Sequence, residues 1–165
     1  MKLPKRHVFV CLAKYCKENK SEAIYDRLRA LVRERGLKEI TVTGCGSVGL
    51  CDVGPALIVY PEGVWYVGIK EQDLGEIVEQ HLIKGQPVNR LRLRPDHPEE
   101  ERRRAFYNKL IPREDFTGDE AVKLAEQDGF SADWVELQIN TGFLEAPEGE
   151  RNLRVSNKGK ARYGG

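Results

Sequence analysis

Long hydrophobic runs and a strong charge of either sign are both absent from this sequence. No apolar stretch approaches the roughly 18 consecutive residues that a membrane-spanning helix needs. Lysine and arginine total 27 and aspartate and glutamate total 26, so the net charge of +1 gives no electrostatic argument for nucleic acid binding. No long apolar segment follows the basic N-terminus, so we find no signal peptide and expect a cytoplasmic protein.

Cysteine is absent after residue 51, although four cysteines lie between residues 11 and 51. A cytoplasmic protein rarely depends on a disulfide framework. The sequence also lacks a C-x-x-C motif, which disfavours a disulfide oxidoreductase. With 165 residues, 40% of them hydrophobic, the chain can bury a core without cross-links. The clustered thiols therefore point to metal or redox chemistry.

Hydrophobic patterning in the first half of the chain predicts a mixed α/β layer structure. Short β-type runs alternate with two amphipathic helices, the first capped by Ser21 and ended by Gly36. The polar stretch from Lys14 to Lys20 is expected to be a turn. The predicted strands cover 7–13, 40–43, 56–60 and 64–69, and the second helix covers 71–82. This order predicts a mixed sheet with two helices packed on it.

The second half of the chain has a different composition, and we place a domain boundary near residue 95. The predicted domains are therefore 1–95 and 96–165. Helices are expected over 99–110, after a capping box at Thr117 to Glu120, and after Ser131. A hairpin turning at Pro147 to Gly149 would follow. Three helices and a hairpin resemble a winged helix-turn-helix, so we expect a small helical, winged-helix-like extension.

The four cysteines are expected to meet at one end of the predicted sheet. Cys11 ends the first strand and Cys16 lies in the segment after it, whereas Cys45 and Cys51 lie in a glycine-rich loop. Loops at one end of an open α/β sheet offer a ligand site. Four thiolates suit a [2Fe-2S] cluster or a zinc ion. The glycines of this loop favour the cluster, because backbone amides can then approach the sulfurs.

Several segments together resemble the thioredoxin-like [2Fe-2S] ferredoxins over about residues 6–89. They are the run from His7 to Cys11, the four-residue gap to Cys16, Cys51 to Tyr66, and the helix 71–82 with the residues up to 88. The resemblance implies a thioredoxin-like fold, a single [2Fe-2S] cluster, one-electron transfer and a homodimer. It implies Cys11, Cys16 and Cys51 as cluster ligands, and the expected meeting of the four cysteines adds Cys45 as the remaining one.

One departure from the family concerns the third ligand. The family usually has three residues between its second pair of cysteines, which would place a ligand at Ser47 rather than at Cys45. We prefer Cys45, because thiolate is the better ligand for iron here and the flanking glycines allow unusual dihedral angles. Ser47 remains the alternative. If Cys45 is the ligand, the loop should fold so that Ser47 points away from the cluster.

These observations predict an electron-transfer protein that has no enzymatic activity of its own. It would donate one electron to, or accept one from, a partner oxidoreductase. Two alternatives stay open: an iron-sulfur redox-sensing DNA-binding regulator, and a fixed electron-relay subunit of a larger oxidoreductase. The predicted recognition helix, 131–140, contains acidic residues and no lysine or arginine, so we do not expect nucleic acid as a partner. Basic residues near the C-terminus keep the regulator in consideration.

Overall fold

The computed structural model describes residues 3–165, which form two compact units, 3–93 and 94–165. We call them the N-terminal unit and the C-terminal unit. None of the helices in the described part of the chain is long and apolar enough to cross a membrane.

The N-terminal unit is built on a four-stranded mixed sheet in the order β2-β1-β3-β4. Its strands are β1 (Arg6–Cys11), β2 (Ile40–Cys45), β3 (Ala56–Tyr60) and β4 (Val64–Val67). β1 pairs in parallel with β2 and antiparallel with β3, and β3 forms a hairpin with β4. The parallel pairing brings the last residues of β1 and β2 to the same end of the sheet.

Two helical segments cover one face of this sheet. They are α2 (Ser21–Glu34) and a helix over residues 71–83 that contains α3 (Leu74–Glu76). Alternating residues of the strands, such as Val8, Val10 and Leu57, pack against apolar positions of both segments, including Leu28 and Ile77. The period-two pattern of the strands and the apolar stripe of α2 therefore meet in one core, as the sequence predicts. The predicted mixed sheet with two helices is confirmed.

Several local expectations were wrong. The polar stretch after β1 contains a short helix, α1 (Lys14–Glu18). It has a single buried residue, Cys16, so its sequence shows no apolar periodicity that would predict a helix. Lys20, in the left-handed conformation, is the N-cap of α2 in place of Ser21. Ser21 is the first residue of the helix and is buried. The 71–83 segment begins as a 3-10 turn, Glu71–Asp73, and ends as a π-helix, Ile77–Ile83.

The C-terminal unit contains four helices and a short hairpin. The helices are α4 (Pro98–Leu110), α5 (Gly118–Gln127), α6 (Ala132–Asn140) and α7 (Asn157–Tyr163). The hairpin pairs β5 (Leu144–Glu145) with β6 (Arg154–Val155) in antiparallel fashion. The capping box of α5 and the Ser131 cap of α6 are confirmed. The helix α7 was not predicted from the sequence. Ser156 caps it, and the Ser156 hydroxyl donates to the Gly142 carbonyl at 2.6 Å.

Candidate functional site

Three of the four cysteines are placed by the parallel strand pair and the segment that follows it. Cys11 and Cys45 are direct partners in the β1–β2 register. Side chains of paired residues in parallel strands leave the sheet on the same face. Cys16 follows on α1, five residues after β1 ends at Cys11. The expectation that Cys45 lies in the loop was wrong, because β2 extends to Cys45 and includes it.

The fourth cysteine, Cys51, lies in the loop between β2 and β3. This loop returns to the sheet at Ala56, at the end where β1 and β2 finish, because Leu57 pairs with Val10. Cys11 and Cys16 belong to an apolar cluster with Leu50, Val53 and Ala56 of this loop and of β3. The loop therefore folds back over the strand ends and brings its own cysteine to the other three.

The environment of the thiols is largely closed to water. Cys11, Cys16 and Cys51 are 2%, 1% and 7% exposed, and Cys45 is half-buried. Burial, with a hydrogen bond to Cys11 and the charge of Cys11, raises the pKa of Cys16 to about 12. Burial also raises the pKa of Cys45, followed by the charge of Cys11. Cys11 of β1 thus influences the thiols of both Cys16 on α1 and Cys45 on β2.

Gly54 allows the closest approach of the backbone to the site. A Cβ atom at this position would lie 2.8 Å from the Cys16 Sγ atom. Only glycine leaves room for the sulfur there. The glycines beside Cys45 were expected from the sequence to be important, whereas Gly54 was not. The feature that could have identified Gly54 is its position between Cys51 and the next strand.

Ser47 does not point away from the site, so that expectation was wrong. Its Oγ atom lies 3.4 Å from the Cys51 Sγ atom, and it also accepts a hydrogen bond from the Gly49 amide at 3.3 Å. The Cys45 thiol instead donates to the Val10 carbonyl at 3.5 Å, across the parallel strand pair. The serine and the third cysteine thus lie against different neighbours.

The donor set is one of sulfur alone. All four cysteines are free of disulfide bonds. In residues 3–165, no three His, Cys, Asp or Glu side chains are grouped as ligands of one metal ion. A [2Fe-2S] cluster has a different requirement, since its four thiolates are divided between two irons. Four cysteines from four neighbouring segments, none in a disulfide bond and two of them within an apolar cluster, fit such a group.

The histidines lie in structural roles. His7 Nε2 and Thr43 Oγ1 are 2.7 Å apart on neighbouring strands. His81 is fully buried, with its Nδ1 atom 2.8 Å from the Tyr66 hydroxyl. His97 caps α4 by accepting a hydrogen bond from the Glu99 amide.

Comparison with known proteins gives the same assignment. The chain is 36% identical over 99 residues to the 2Fe-2S ferredoxin of Clostridium pasteurianum, a match that covers 54% of this chain and 97% of that protein. The chain belongs to the family of thioredoxin-like [2Fe-2S] ferredoxins. It is also 34% identical over 96 residues to the 2Fe-2S ferredoxin of Aquifex aeolicus, covering 52% of this chain and 86% of that protein.

The fold agrees with a solved member of the ferredoxin family. The crystal structure of the wild-type thioredoxin-like [2Fe-2S] ferredoxin from Aquifex aeolicus matches with a TM-score of 0.53 and 32% identity. The match covers 55% of this chain and 98% of that one. No family model matches the chain. The ferredoxin relatives thus account for about half of the sequence, and the winged-helix-like character of the C-terminal unit stays a prediction.

Proposed function

We propose that this protein is a one-electron carrier that holds a single [2Fe-2S] cluster on Cys11, Cys16, Cys45 and Cys51. The observation that carries the proposal is the gathering of four mostly buried cysteines, none in a disulfide bond, at one end of the sheet in a chain of the ferredoxin family. When bound, the cluster supplies reversible one-electron chemistry. The protein makes and breaks no substrate bonds.

The residues around the thiols would control protons and water. Thiols must lose their protons to bind iron, and the high pKa of Cys16 means that this proton is released on loading rather than beforehand. Leu50, Val53 and Ala56 exclude water from the sulfurs. Such burial is one of the properties by which a protein sets the potential of an iron–sulfur group.

For the third ligand we propose Cys45 rather than Ser47. Cys45 is the register partner of Cys11, so the parallel strands themselves hold the two residues side by side. The Ser47 hydroxyl is already hydrogen-bonded to the Cys51 sulfur and to the Gly49 amide. This suits a group that orients the Cys51 ligand and does not bind iron itself.

A pair of alanine variants tests this assignment. We expect Cys45→Ala to lose most of its iron and its visible absorption, because one of the four thiolate ligands is missing. Ser47→Ala should keep the full iron content and change only the reduction potential, through the lost hydrogen bond to Cys51. A Cys45→Ala protein with full iron content and an unchanged spectrum would overturn the assignment.

We also propose that the protein forms a homodimer through the N-terminal unit. The sheet face opposite α2 carries aromatic side chains, with His7 stacked on Phe9 at 4.1 Å and Phe9 edge-on to Tyr60 at 6.0 Å. Tyr60 is 44% exposed, and the adjacent hairpin adds the half-buried Trp65. Apolar surface of this kind is typical of protein interfaces.

Sedimentation of the full chain tests the dimer. The wild-type protein should sediment as a dimer at micromolar concentration, and Trp65→Glu should shift it towards monomer. Gln72→Glu, which makes the same change in charge at an exposed helical position, should leave the dimer intact. A monomeric wild-type protein would refute the proposal.

For the C-terminal unit we propose a winged-helix-like module that docks other proteins. The DNA-binding alternative has less support, because three of the basic side chains near the hairpin have partners within the unit. Arg154 pairs with Glu145, Lys158 donates to the Thr141 carbonyl, and Arg162 pairs with Glu100. Phosphate contacts need free cations. Titration with duplex DNA at controlled salt distinguishes the two roles, and tight salt-dependent binding would favour the regulator.

A further inference from the structure

The strand β2 lies at the edge of the sheet with part of its backbone turned outward. The Cys45 carbonyl accepts from the Leu12 amide at 2.8 Å, and the Glu39 carbonyl accepts from the Lys5 amide at 2.7 Å, so odd-numbered residues bond towards β1. Successive residues of a strand alternate in this respect. Val42 and Gly44 therefore direct their N–H and C=O groups away from β1, where the sheet described over residues 3–165 has no further strand.

A groove of about 440 Å³ runs between this outward edge and α2. Its apolar lining comes from both elements and from the turn that joins them, and consists of Val32, Leu37, Ile40 and Val42. A free strand edge beside an apolar groove can accept an extended peptide as one more strand.

The rim of the groove is basic. Arg29, Arg33 and Lys38 line it, and the adjoining hollows at the start of β2 add Lys5 and one carboxylate, Glu39. All five side chains are exposed. Since the whole chain carries a net charge of only +1, this is a local concentration of positive charge. It complements an acidic ligand.

We propose that the outward edge of β2 binds an extended acidic segment of a partner protein as an additional β-strand. Backbone bonds to Val42 and Gly44 would fix its register. Every second side chain of the segment would face α2, where apolar ones would enter the groove and acidic ones would meet Arg29, Arg33 and Lys38. That the partner is the redox partner rests on the proposed function: Gly44 directly precedes Cys45, so the added strand would end beside the cysteine site.

The same charges argue against a second copy of this chain at the edge. Two copies joined antiparallel through β2 would bring both α2 helices together on one face, with Arg29 and Arg33 of each copy facing the other. Like charges that face each other in such an interface oppose association. Nucleic acid suits the charge, but it has no row of amide groups to pair with a strand edge and does not use an aliphatic groove.

Binding of designed peptides to the full chain tests the proposal. The probe is a peptide whose every second residue is valine or glutamate in turn, with threonine between them, so that one face carries both types. Its counterpart replaces glutamate with lysine. We expect only the acidic peptide to bind and to protect the Val42 and Gly44 amides from hydrogen exchange. Thr41 and Thr43, which already bond to β1, should not change. The acidic peptide with N-methylated backbone amides should fail to bind, because it cannot complete a strand pair.

Charge variants on α2 supply the matched control. Arg33→Glu should weaken binding of the acidic peptide by about tenfold or more. Arg27→Glu makes the same change on the same helix, outside the groove, and should have little effect, since Arg27 forms only an exposed pair with Glu34.

Four results would overturn the proposal. They are equal binding of the acidic and lysine peptides, undiminished binding of the N-methylated peptide, a duplex DNA that protects the same amides in preference to the peptide, and self-association that Arg33→Glu strengthens. The visible spectrum and iron content of the same samples report the cluster separately. Loss of the cluster with peptide binding retained would count against the proposed function and not against the strand site.

Discussion

The two units of this chain are stabilised by different means. The N-terminal unit has an aliphatic core between sheet and helices and keeps all four cysteines at one end of the sheet. The C-terminal unit has no cysteine and packs aromatic rings instead, with Tyr107 stacked on Tyr163 at 4.1 Å and Phe130 on Trp134 at 4.1 Å. One unit thus gathers its cysteines at strand ends and in a loop, whereas the other uses its polar groups to fix its own packing.

A buried ion pair in the C-terminal unit is an example of polar groups that fix its packing. Glu100 is 1% exposed, and its two oxygens accept hydrogen bonds from Arg162 at 2.6 and 2.9 Å. Burial would raise the pKa of Glu100, but the hydrogen bond and charge of Arg162, with Arg103 and Arg104, lower it. A pair of this kind ties α7 to α4 and is costly to break from one side.

The largest expected effect is therefore in the C-terminal unit. Glu100→Gln leaves the Arg162 charge buried without its counter-ion and should lower the free energy of unfolding of this unit by about 3–5 kcal/mol. Each unit has one tryptophan, so Trp134 fluorescence in a Trp65→Phe background follows this unit alone. The visible spectrum should not change.

Glu99→Gln is the matched control for that variant. Its carboxylate forms an exposed pair with Arg103, which contributes little. If Glu100→Gln removed the visible spectrum while Trp134 still reported a folded unit, the division between the two regions would be wrong.

The next effect is expected at the cysteine site. Gly54→Ala places a methyl group 2.8 Å from the Cys16 Sγ atom, so the sulfur or the loop must shift. We expect a loss of about 1–3 kcal/mol in the N-terminal unit and a lower iron content. Gly46→Ala, beside Cys45 but with no atom within 4 Å of the added carbon, should retain its iron. Equal iron content in the two variants would contradict this account of Gly54.

A smaller effect is expected at the start of α5. Thr117 accepts a hydrogen bond from the Glu120 amide at 3.1 Å, and the Glu120 carboxylate accepts from the Thr117 amide at 2.8 Å. Thr117→Ala should cost about 1 kcal/mol, whereas Thr117→Ser keeps the cap and should cost little. Chemical denaturation monitored at Trp134 measures both. A Thr117→Ser variant as unstable as Thr117→Ala would show that the hydroxyl is not the cause.

The mildest prediction is a pH dependence confined to the N-terminal unit. Burial lowers the pKa of His81 below 6.5, the nearby Glu62 charge opposes this, and Arg6 and Arg92 add to it. Because the folded state favours the neutral ring, the stability that this contributes is complete above the unfolded pKa. It is lost as the pH falls from 6.5 towards the folded value. Unfolding of the N-terminal unit, followed at Trp65 in a Trp134→Phe background, should show this slope, and His81→Gln should remove it.

Much of the fold could be predicted because its signals are local. The hairpin from Ala56 to Val67 has two short apolar runs around a tight turn, and the α5 cap has its four-residue box. Short or irregular elements lacked such signals. A five-residue helix such as α1 has no room for periodicity, and the π-helical end of 71–83 depends on packing rather than on its own sequence.

The cysteine site divides in the same way. The residue types, the clustering of the thiols before residue 52 and the departure at Ser47 are properties of the sequence, and with the family resemblance they determined the expected chemistry. The extension of β2 to Cys45, its pairing with Cys11 and the contact of Ser47 with Cys51 were decided only by the tertiary structure. Strand register and loop path depend on contacts between residues far apart in the chain, and local patterns contain no information about those contacts.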